Sequence, residues 1–202
     1  MDQQVAVQID RAICLHIPKT GGTFVRNYFQ ETKMDHGVKK LLERAHINAT
    51  VLREIVGHTE DLVFCFVRHP LTWYRSYWTS KQQIPNDRSG GLIDEIVDLP
   101  WREFIKTIIE KHPGYLTNFY EGYTEICRFI GKQENLRDDL DAVLKYLRIP
   151  YNRKRLFERI PENVIPSKET YTWAQAQAIM RLEANIVRKY DYRYIPLEVI
   201  QQ

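Results

Sequence analysis

The stretch from Ile13 to Thr23, which reads ICLHIPKTGGT, constrains the fold of this 202-residue chain more than any other. An apolar run typical of a buried strand leads into a turn, and the residues from 23 to 31 then follow a helical pattern. Gly21 and Gly22 allow the backbone to turn tightly and to approach a ligand closely. The N–H groups at the start of a helix favour an anion, and Lys19 adds a positive charge beside them. The segment therefore predicts a strand–loop–helix unit that binds phosphate.

The order of residues in this loop differs from that of a Walker A loop. A Walker A loop reads G-x-x-x-x-G-K-[ST], so its lysine follows the glycines, whereas here Lys19 precedes Gly21 and Gly22. The hydroxyls of Thr20 and Thr23 are further neutral donors for an oxyanion. The order argues against an ordinary ATPase or GTPase. The structural alternative is a Gly-Gly turn that only joins a strand to a helix.

A second apolar run, LVFCFV at residues 62–67, has the composition of a buried parallel strand and is followed by Arg68, His69 and Pro70. Pro70 fits the first position of a helix, which makes His69 the predicted N-cap. Arg68 would then lie at the carboxyl end of a strand, where open α/β sheets bind ligands, and Ser76 could reach the same anion from the helix. A nucleotide kinase would be expected to carry a magnesium-binding Asp near this position, but the residue here is basic. Two phosphate-binding segments without such a carboxylate predict a bisphosphate nucleotide and no metal.

Four segments together resemble the PAPS-dependent sulfotransferases, specifically the branch that contains the Golgi glycan enzymes and their small bacterial relatives. HIPKTGGT at 16–23 is similar to the family's 5′-phosphosulfate loop, and FVRHPLTWYRSYW at 66–78 is similar to its 3′-phosphate segment. FIGKQENLRDDL at 129–140 resembles its Glu-Asn-Leu stretch, and residues 164–195 resemble its closing loop and last helix. The resemblance implies an α/β fold, with a central, mostly parallel sheet flanked by helices in a single P-loop-like domain over residues 1–202. It also implies transfer of a sulfuryl group from PAPS to an acceptor hydroxyl, expected on a carbohydrate.

The resemblance also assigns roles to individual residues. The 5′ phosphosulfate would be surrounded by Lys19, Thr20, Gly21, Gly22, Thr23 and Phe24. Arg68 and Ser76 would hold the 3′ phosphate, and Lys168 would close over the nucleotide unless it is an ordinary surface lysine. Lys19 would also stabilise the charge that develops on the bridging oxygen as the sulfuryl group departs.

The acceptor hydroxyl needs a general base, and His46 is the leading candidate. It precedes Arg68 by 22 residues, a spacing that resembles that of the base in uronyl 2-O-sulfotransferases. An imidazole with an ordinary pKa can be neutral at working pH and accept the proton. The structural alternative is a histidine at the edge of a helix that Asn48 or Thr50 caps. The other candidates are His58, Glu31 and Glu54. His16, at the end of the first strand, is predicted to orient the loop.

The hydrophobic pattern predicts strands at 12–17, 62–67 and 124–130, and helices at 23–31, 50–56, 70–81, 101–111, 136–147 and 173–190. Two segments show no regular pattern, 82–100 and 112–123, and we expect acceptor specificity to come from them. The first is long enough for a mobile lid, and the second offers rings that could stack on an acceptor or fill the core: Tyr115, Phe119, Tyr120 and Tyr123. The basic run at 148–159 fits a solvated helix face, or else attracts an anionic ligand.

Composition narrows the class of protein further. A net charge of +3 is too small to imply nucleic-acid binding, and the three cysteines fit reduced, mostly buried thiols without metal-ligand spacing. No apolar stretch has the length of a membrane span or the form of a signal peptide, so we expect a cytoplasmic enzyme or a catalytic domain without its anchor. The expected partner is a hydroxyl-bearing small molecule or glycan. The alternatives are a nucleotide-dependent phosphotransferase of the kinase type and a non-enzymatic nucleotide-binding module.

Overall fold

A mixed sheet organises the computed structural model, which describes residues 6–9, 11–31, 39–42, 54, 62–83, 92–160 and 166–201. Its strands are β1 (Ala6–Ile9), β2 (Ala12–Leu15), β3 (Lys39–Leu42), β4 (Leu62–Val67) and β5 (Phe129–Lys132). They lie in the order β3-β1-β2-β4-β5. The β2-β4 and β4-β5 pairs are parallel, whereas β1 pairs antiparallel with both β2 and β3. The predicted α/β class with parallel central strands is confirmed, whereas the antiparallel extension by β1 and β3 was not predicted.

The described helices are α1 (Gly22–Glu31), α2 (Pro70–Gln83), α3 (Trp101–Lys111), α4 (Tyr115–Thr124), α5 (Leu136–Tyr146), α6 (Arg153–Glu158), α7 (Trp173–Leu182) and α8 (Ala184–Lys189). Short 3-10 turns occupy residues 92–95, 133–135 and 197–199. Among the described residues, no helix is long and apolar enough to cross a membrane.

Three sequence predictions differ from the structure. The segment 112–123 is not irregular, because Leu116, Tyr120 and Tyr123 lie on one buried face of α4. The strand predicted over 124–130 begins only at Phe129, because Thr124 is the last residue of α4. The helix predicted over 173–190 is interrupted at Glu183, between α7 and α8. The helix predicted at 50–56, apart from Glu54, and residues 84–91 of the predicted lid lie outside the described residues.

The chain divides into two compact units, residues 1–68 with 120–164 and residues 69–119 with 165–202. The single domain predicted over residues 1–202 stays a prediction. Each unit has its own buried residues.

In the first unit, α1 and α5 pack with the sheet in one apolar core. β2 and β4 contribute alternate residues such as Cys14, Phe64 and Phe66, and the helices contribute side chains such as Tyr28 and Leu140. Burial of these side chains contributes roughly 25 cal/mol for each Å² of apolar surface removed from water. The core therefore fixes the start of α1 at the end of β2, where the predicted phosphate loop lies.

In the second unit, Trp73 of α2 is fully buried among aromatic rings. It stacks on Tyr77, with ring centroids 4.9 Å apart, and Phe119 lies 5.7 Å away. Tyr115 in turn stacks on Phe119 at 5.9 Å. The aromatic residues of segment 112–123 thus have packing roles, in agreement with the core alternative for them.

Candidate phosphate-binding site

The loop between β2 and α1 has the backbone shape of an anion-binding turn. Lys19 has φ +67° and Gly21 has φ +93°, so two residues of this loop adopt left-handed conformations. For a lysine this conformation costs roughly 1–2 kcal/mol, whereas glycine adopts it freely. The main-chain N–H of Val25 donates to the carbonyl of Gly21 at 3.3 Å, which begins the helical bonding of α1. The N–H groups just before it, at the helix start, have no acceptor within the helix and are suited to an anion.

Both glycines of the loop are required by close packing. A Cβ added to Gly22 would lie 2.5 Å from His16 Cγ and 2.7 Å from its Nε2, so the imidazole ring lies directly against this glycine. A Cβ added to Gly21 would lie 2.8 Å from the side chain of Leu136, in addition to the positive φ. The position of His16 agrees with the predicted role of orienting the loop.

The threonines and Phe24 of the loop are buried or half-buried, and their side chains have different roles. Thr20 is buried, and its hydroxyl donates a hydrogen bond to the carbonyl of Ile17 at 2.8 Å. The hydroxyl proton of Thr20 is therefore used inside the loop. Thr23 is half-buried in the first turn of α1. The ring of Phe24 is buried, with the guanidinium carbons of Arg137 and Arg159 at 5.7 and 5.6 Å from its centroid. Only the backbone N–H of Phe24 therefore fits the predicted contact with a phosphate.

Arg68 follows β4 and lies beside this loop. Its Nη1 donates to the carbonyl of Lys19 at 3.2 Å, which brings together two of the residues predicted to bind the nucleotide. The hydroxyl of Tyr120 accepts from the Arg68 N–H at 3.1 Å and donates to the Arg68 carbonyl at 3.0 Å. Burial raises the pKa of Tyr120 well above its usual range, so the phenol stays neutral and can both donate and accept.

The third parallel strand, β5, ends at the same edge of the sheet. The Lys132 N–H donates to Asp139 Oδ2 at 2.6 Å, which ties the end of β5 to the first turn of α5. Burial raises the pKa of Asp139, and this hydrogen bond from Lys132 opposes the shift. Gln133 lies near the phosphate loop, because its Cγ would be 3.6 Å from a Cβ placed on Gly21. The carboxyl ends of β2, β4 and β5 thus converge around one loop, as expected for an open α/β sheet.

The remaining predicted nucleotide contacts, Ser76 and Lys168, belong to the second unit. Ser76 is half-buried on α2, one turn before Thr79, and Lys168 is exposed. The Thr79 hydroxyl donates to the hydroxyl of Ser167 at 2.9 Å. Because residues three apart share a helix face, this bond brings the segment of Lys168 near Ser76.

His69 has the role that the sequence predicts, as the N-cap of α2. Its Nδ1 accepts from the Leu71 N–H at 3.2 Å, and its Nε2 lies 2.8 Å from the carbonyl of Tyr194. Since a carbonyl can only accept, Nε2 carries the proton and Nδ1 is the acceptor. The ring is therefore held neutral and is fully buried.

The predicted general base lies outside the described residues. His46 and the alternative His58 both fall there, and nothing is described of the Glu31 side chain. Glu54 is described and exposed. The assignment of the base therefore stays a prediction.

A surface cavity of about 510 Å³ adjoins α6, and it is lined by Asn152, Lys154, Arg155, Glu158 and Arg159. Part of the positive charge of the run 148–159 is neutralised by protein carboxylates. Asp141 accepts from Arg153 Nε at 3.1 Å, and Lys154 lies 3.8 Å from Glu158. The run is mostly exposed, which agrees with the solvated-face interpretation.

Sequence reasoning missed Tyr120 as a residue of this site. The spacing of Leu116, Tyr120 and Tyr123 indicates one face of a helix and could have revealed α4. No signal in the sequence distinguishes Tyr120, whose hydroxyl reaches the end of β4, from the other aromatic residues of its segment. Among the described residues, no group of His, Cys, Asp and Glu could hold a metal ion.

The chain was also compared with known proteins. No family model, no curated protein and no solved structure matches it.

Proposed function

We propose that this protein is a sulfotransferase that moves a sulfuryl group from PAPS to an acceptor hydroxyl, on a carbohydrate, without a metal. The observation that carries the proposal is the loop between β2 and α1. Lys19 and Gly21 adopt left-handed conformations there, and Arg68 donates to the loop from the neighbouring parallel strand. This arrangement supplies cationic side chains and helix N–H groups to one anion.

In the proposed reaction the acceptor oxygen attacks the sulfur in line with the bond that breaks. The bond between sulfur and the bridging oxygen to the 5′ phosphate breaks, and adenosine 3′,5′-bisphosphate leaves with the electron pair. The ammonium of Lys19 stabilises the charge on that oxygen, which is a transition-state interaction. His46 takes the proton of the attacking hydroxyl group. By resemblance, Arg68 and Ser76 hold the 3′ phosphate and Lys168 closes over the nucleotide. The hydrogen bond from Thr79 to Ser167, which joins the segments of Ser76 and Lys168, supports the roles of these two residues.

The cytoplasm is the proposed compartment. Cys14, Cys65 and Cys127 are free thiols, which suits a reducing environment.

Calorimetric titration with adenosine 3′,5′-bisphosphate, without magnesium, tests the proposed donor site. We expect micromolar binding that Arg68→Ala weakens about 10- to 150-fold, as expected for one charged hydrogen bond. The matched control is Arg188→Ala, which removes an exposed arginine of α8 bonded to Asn185 and should leave the affinity unchanged. Binding of ATP with magnesium, but not of the bisphosphate, would refute the proposal and favour a phosphotransferase.

Turnover distinguishes an enzyme from a nucleotide-binding module. With PAPS and a panel of hydroxyl-bearing sugars, bisphosphate release should depend on the acceptor. His46→Ala should lower kcat by about 10²- to 10⁴-fold while bisphosphate affinity is kept. Bisphosphate binding without turnover on any acceptor would support the module instead.

A further inference from the structure

The buried hydroxyl of Tyr120 makes two hydrogen bonds to the main chain of one residue. It accepts from the Arg68 N–H at 3.1 Å and donates to the Arg68 carbonyl at 3.0 Å. Arg68 follows the last paired residue of β4, Val67, so the ladder between β4 and β5 ends just before it. The tyrosine hydroxyl therefore takes the place of a strand partner for Arg68 and fixes where its side chain begins.

From this fixed position, the Arg68 side chain reaches the phosphate loop. Its Nη1 donates to the carbonyl of Lys19 at 3.2 Å. Lys19 has φ +67°, a conformation that a residue with a Cβ adopts only when its surroundings hold it. A charge-assisted hydrogen bond to this carbonyl is a suitable restraint.

We infer that Tyr120 is a positioning residue of the phosphate loop, acting through Arg68 on the conformation of Lys19. The tyrosine does not touch the ligand in this account. Its hydroxyl sets the Arg68 backbone, the Arg68 guanidinium sets the Lys19 carbonyl, and the loop is thereby held ready for an anion. Pre-organisation of this kind improves affinity because less ordering is needed when the ligand binds.

The inference rests on the proposed function only for the identity of the ligand, since the order of the loop can be measured without one. The simpler alternative is a tyrosine that stabilises the fold and nothing else. Tyr28 provides a matched comparison, because it is fully buried in the same unit and its hydroxyl donates to the carbonyl of Asn152 at 3.0 Å. Tyr28→Phe and Tyr120→Phe each remove one buried hydroxyl that is bonded to main chain.

Amide hydrogen exchange of the ligand-free protein is the first measurement. We expect Tyr120→Phe to accelerate exchange at Arg68 and at the hydrogen-bonded loop amides of Thr20 and Val25 by on the order of tenfold, whereas Tyr28→Phe leaves these amides at the wild-type rate. As a second variant, Arg68→Lys keeps the charge but shortens the reach to Lys19. It should accelerate exchange in the loop and leave the amide of residue 68 protected by Tyr120.

Bisphosphate titration of the same variants is the second measurement. Tyr120→Phe should weaken binding on the order of tenfold and Tyr28→Phe should not. If the wild type binds no bisphosphate but the exchange pattern is as expected, the proposed function fails and the inference about Tyr120 stands. Equal exchange of the Thr20 and Val25 amides in Tyr120→Phe and Tyr28→Phe would overturn the inference. Acceleration at residue 68 in Arg68→Lys equal to that in Tyr120→Phe would also overturn it.

Discussion

Replacing Glu183 with Gln should destabilise the second unit by about 2–4 kcal/mol, because the buried carboxylate is surrounded by donors. Glu183 is 1% exposed. One oxygen accepts from the Tyr74 hydroxyl at 2.7 Å and the Leu116 N–H at 3.1 Å. The other accepts from the N–H and the hydroxyl of Thr117, at 2.8 and 2.6 Å. The two N–H groups belong to the first turn of α4, so Glu183 caps this helix from another part of the chain.

The magnitude follows from the number of acceptors that glutamine retains. A glutamine has one acceptor oxygen, so its NH₂ would face either Leu116 or Thr117. The hydroxyl on that side can rotate to accept, but the N–H cannot, and a buried unpaired N–H costs about 1–3 kcal/mol. Each bond that remains loses its charged acceptor, at about 1 kcal/mol for each, and the relief from burying a charge offsets most of this second contribution.

Urea unfolding followed by tryptophan fluorescence measures this effect in the relevant unit. All the tryptophans of the chain lie there: Trp73, Trp78, Trp101 and Trp173. Glu110→Gln, at an exposed position of α3, is the control and should change the unfolding free energy by less than about 0.5 kcal/mol. A loss in Glu183→Gln no larger than that of the control would refute the reasoning.

Three further changes test other parts of the structure. Gly22→Ala should weaken bisphosphate binding at least about tenfold in calorimetry, because the new methyl group would displace the ring of His16 from the loop. Burial raises the pKa of Asp141, but hydrogen bonds from neighbouring side chains outweigh it and bring the pKa below its usual range. The ionised Asp141 therefore stabilises the fold fully above about pH 4, and this stabilisation is lost as the pH falls through the lowered pKa of Asp141 in the folded protein. Asp141→Asn should flatten the dependence of thermal stability on pH in that acid range. Lys81→Met should lower the free energy of unfolding by about 3–5 kcal/mol, measured by tryptophan fluorescence, because it removes the ammonium 3.3 Å from the equally buried Asp94. Adding Asp94→Leu should recover much of this loss.

The elements that the sequence predicted best are those whose pattern is local. The strand LVFCFV has the observed bounds of β4, and the helix predicted at 101–111 has those of α3. The cap at His69 was also predictable, because Pro70 restricts the start of a helix to one position. In each case neighbouring residues determine the conformation, and no distant contact is needed.

The features that the sequence could not predict depend on distant contacts. The helix from 173 breaks at Glu183, whose carboxylate caps α4 some 66 residues earlier in the chain. Tyr120 was one of several rings in an aromatic segment, and its bonds to Arg68 cross 52 residues. In the candidate site, the shape of the loop and its place beside Arg68 could be predicted. The closure of the loop by Thr20 could not, because its hydroxyl was expected to face a ligand and instead bonds to Ile17.

The buried cysteines of the first unit allow transient opening of the packing around the sheet to be measured by thiol alkylation. Cys14 of β2 is paired with Phe64 of β4, and Cys65 of β4 is paired with Leu15 of β2, so the two buried thiols lie on adjacent strands and on opposite faces of the sheet. Burial raises the pKa of the Cys14 thiol, which further slows its modification in the folded state. In a Cys127→Ser background, an alkylating reagent would therefore modify these two thiols only when the side-chain packing on the faces of the sheet opens. The rate of alkylation would then report how often the packing over the two strands that end at the phosphate loop and at Arg68 opens.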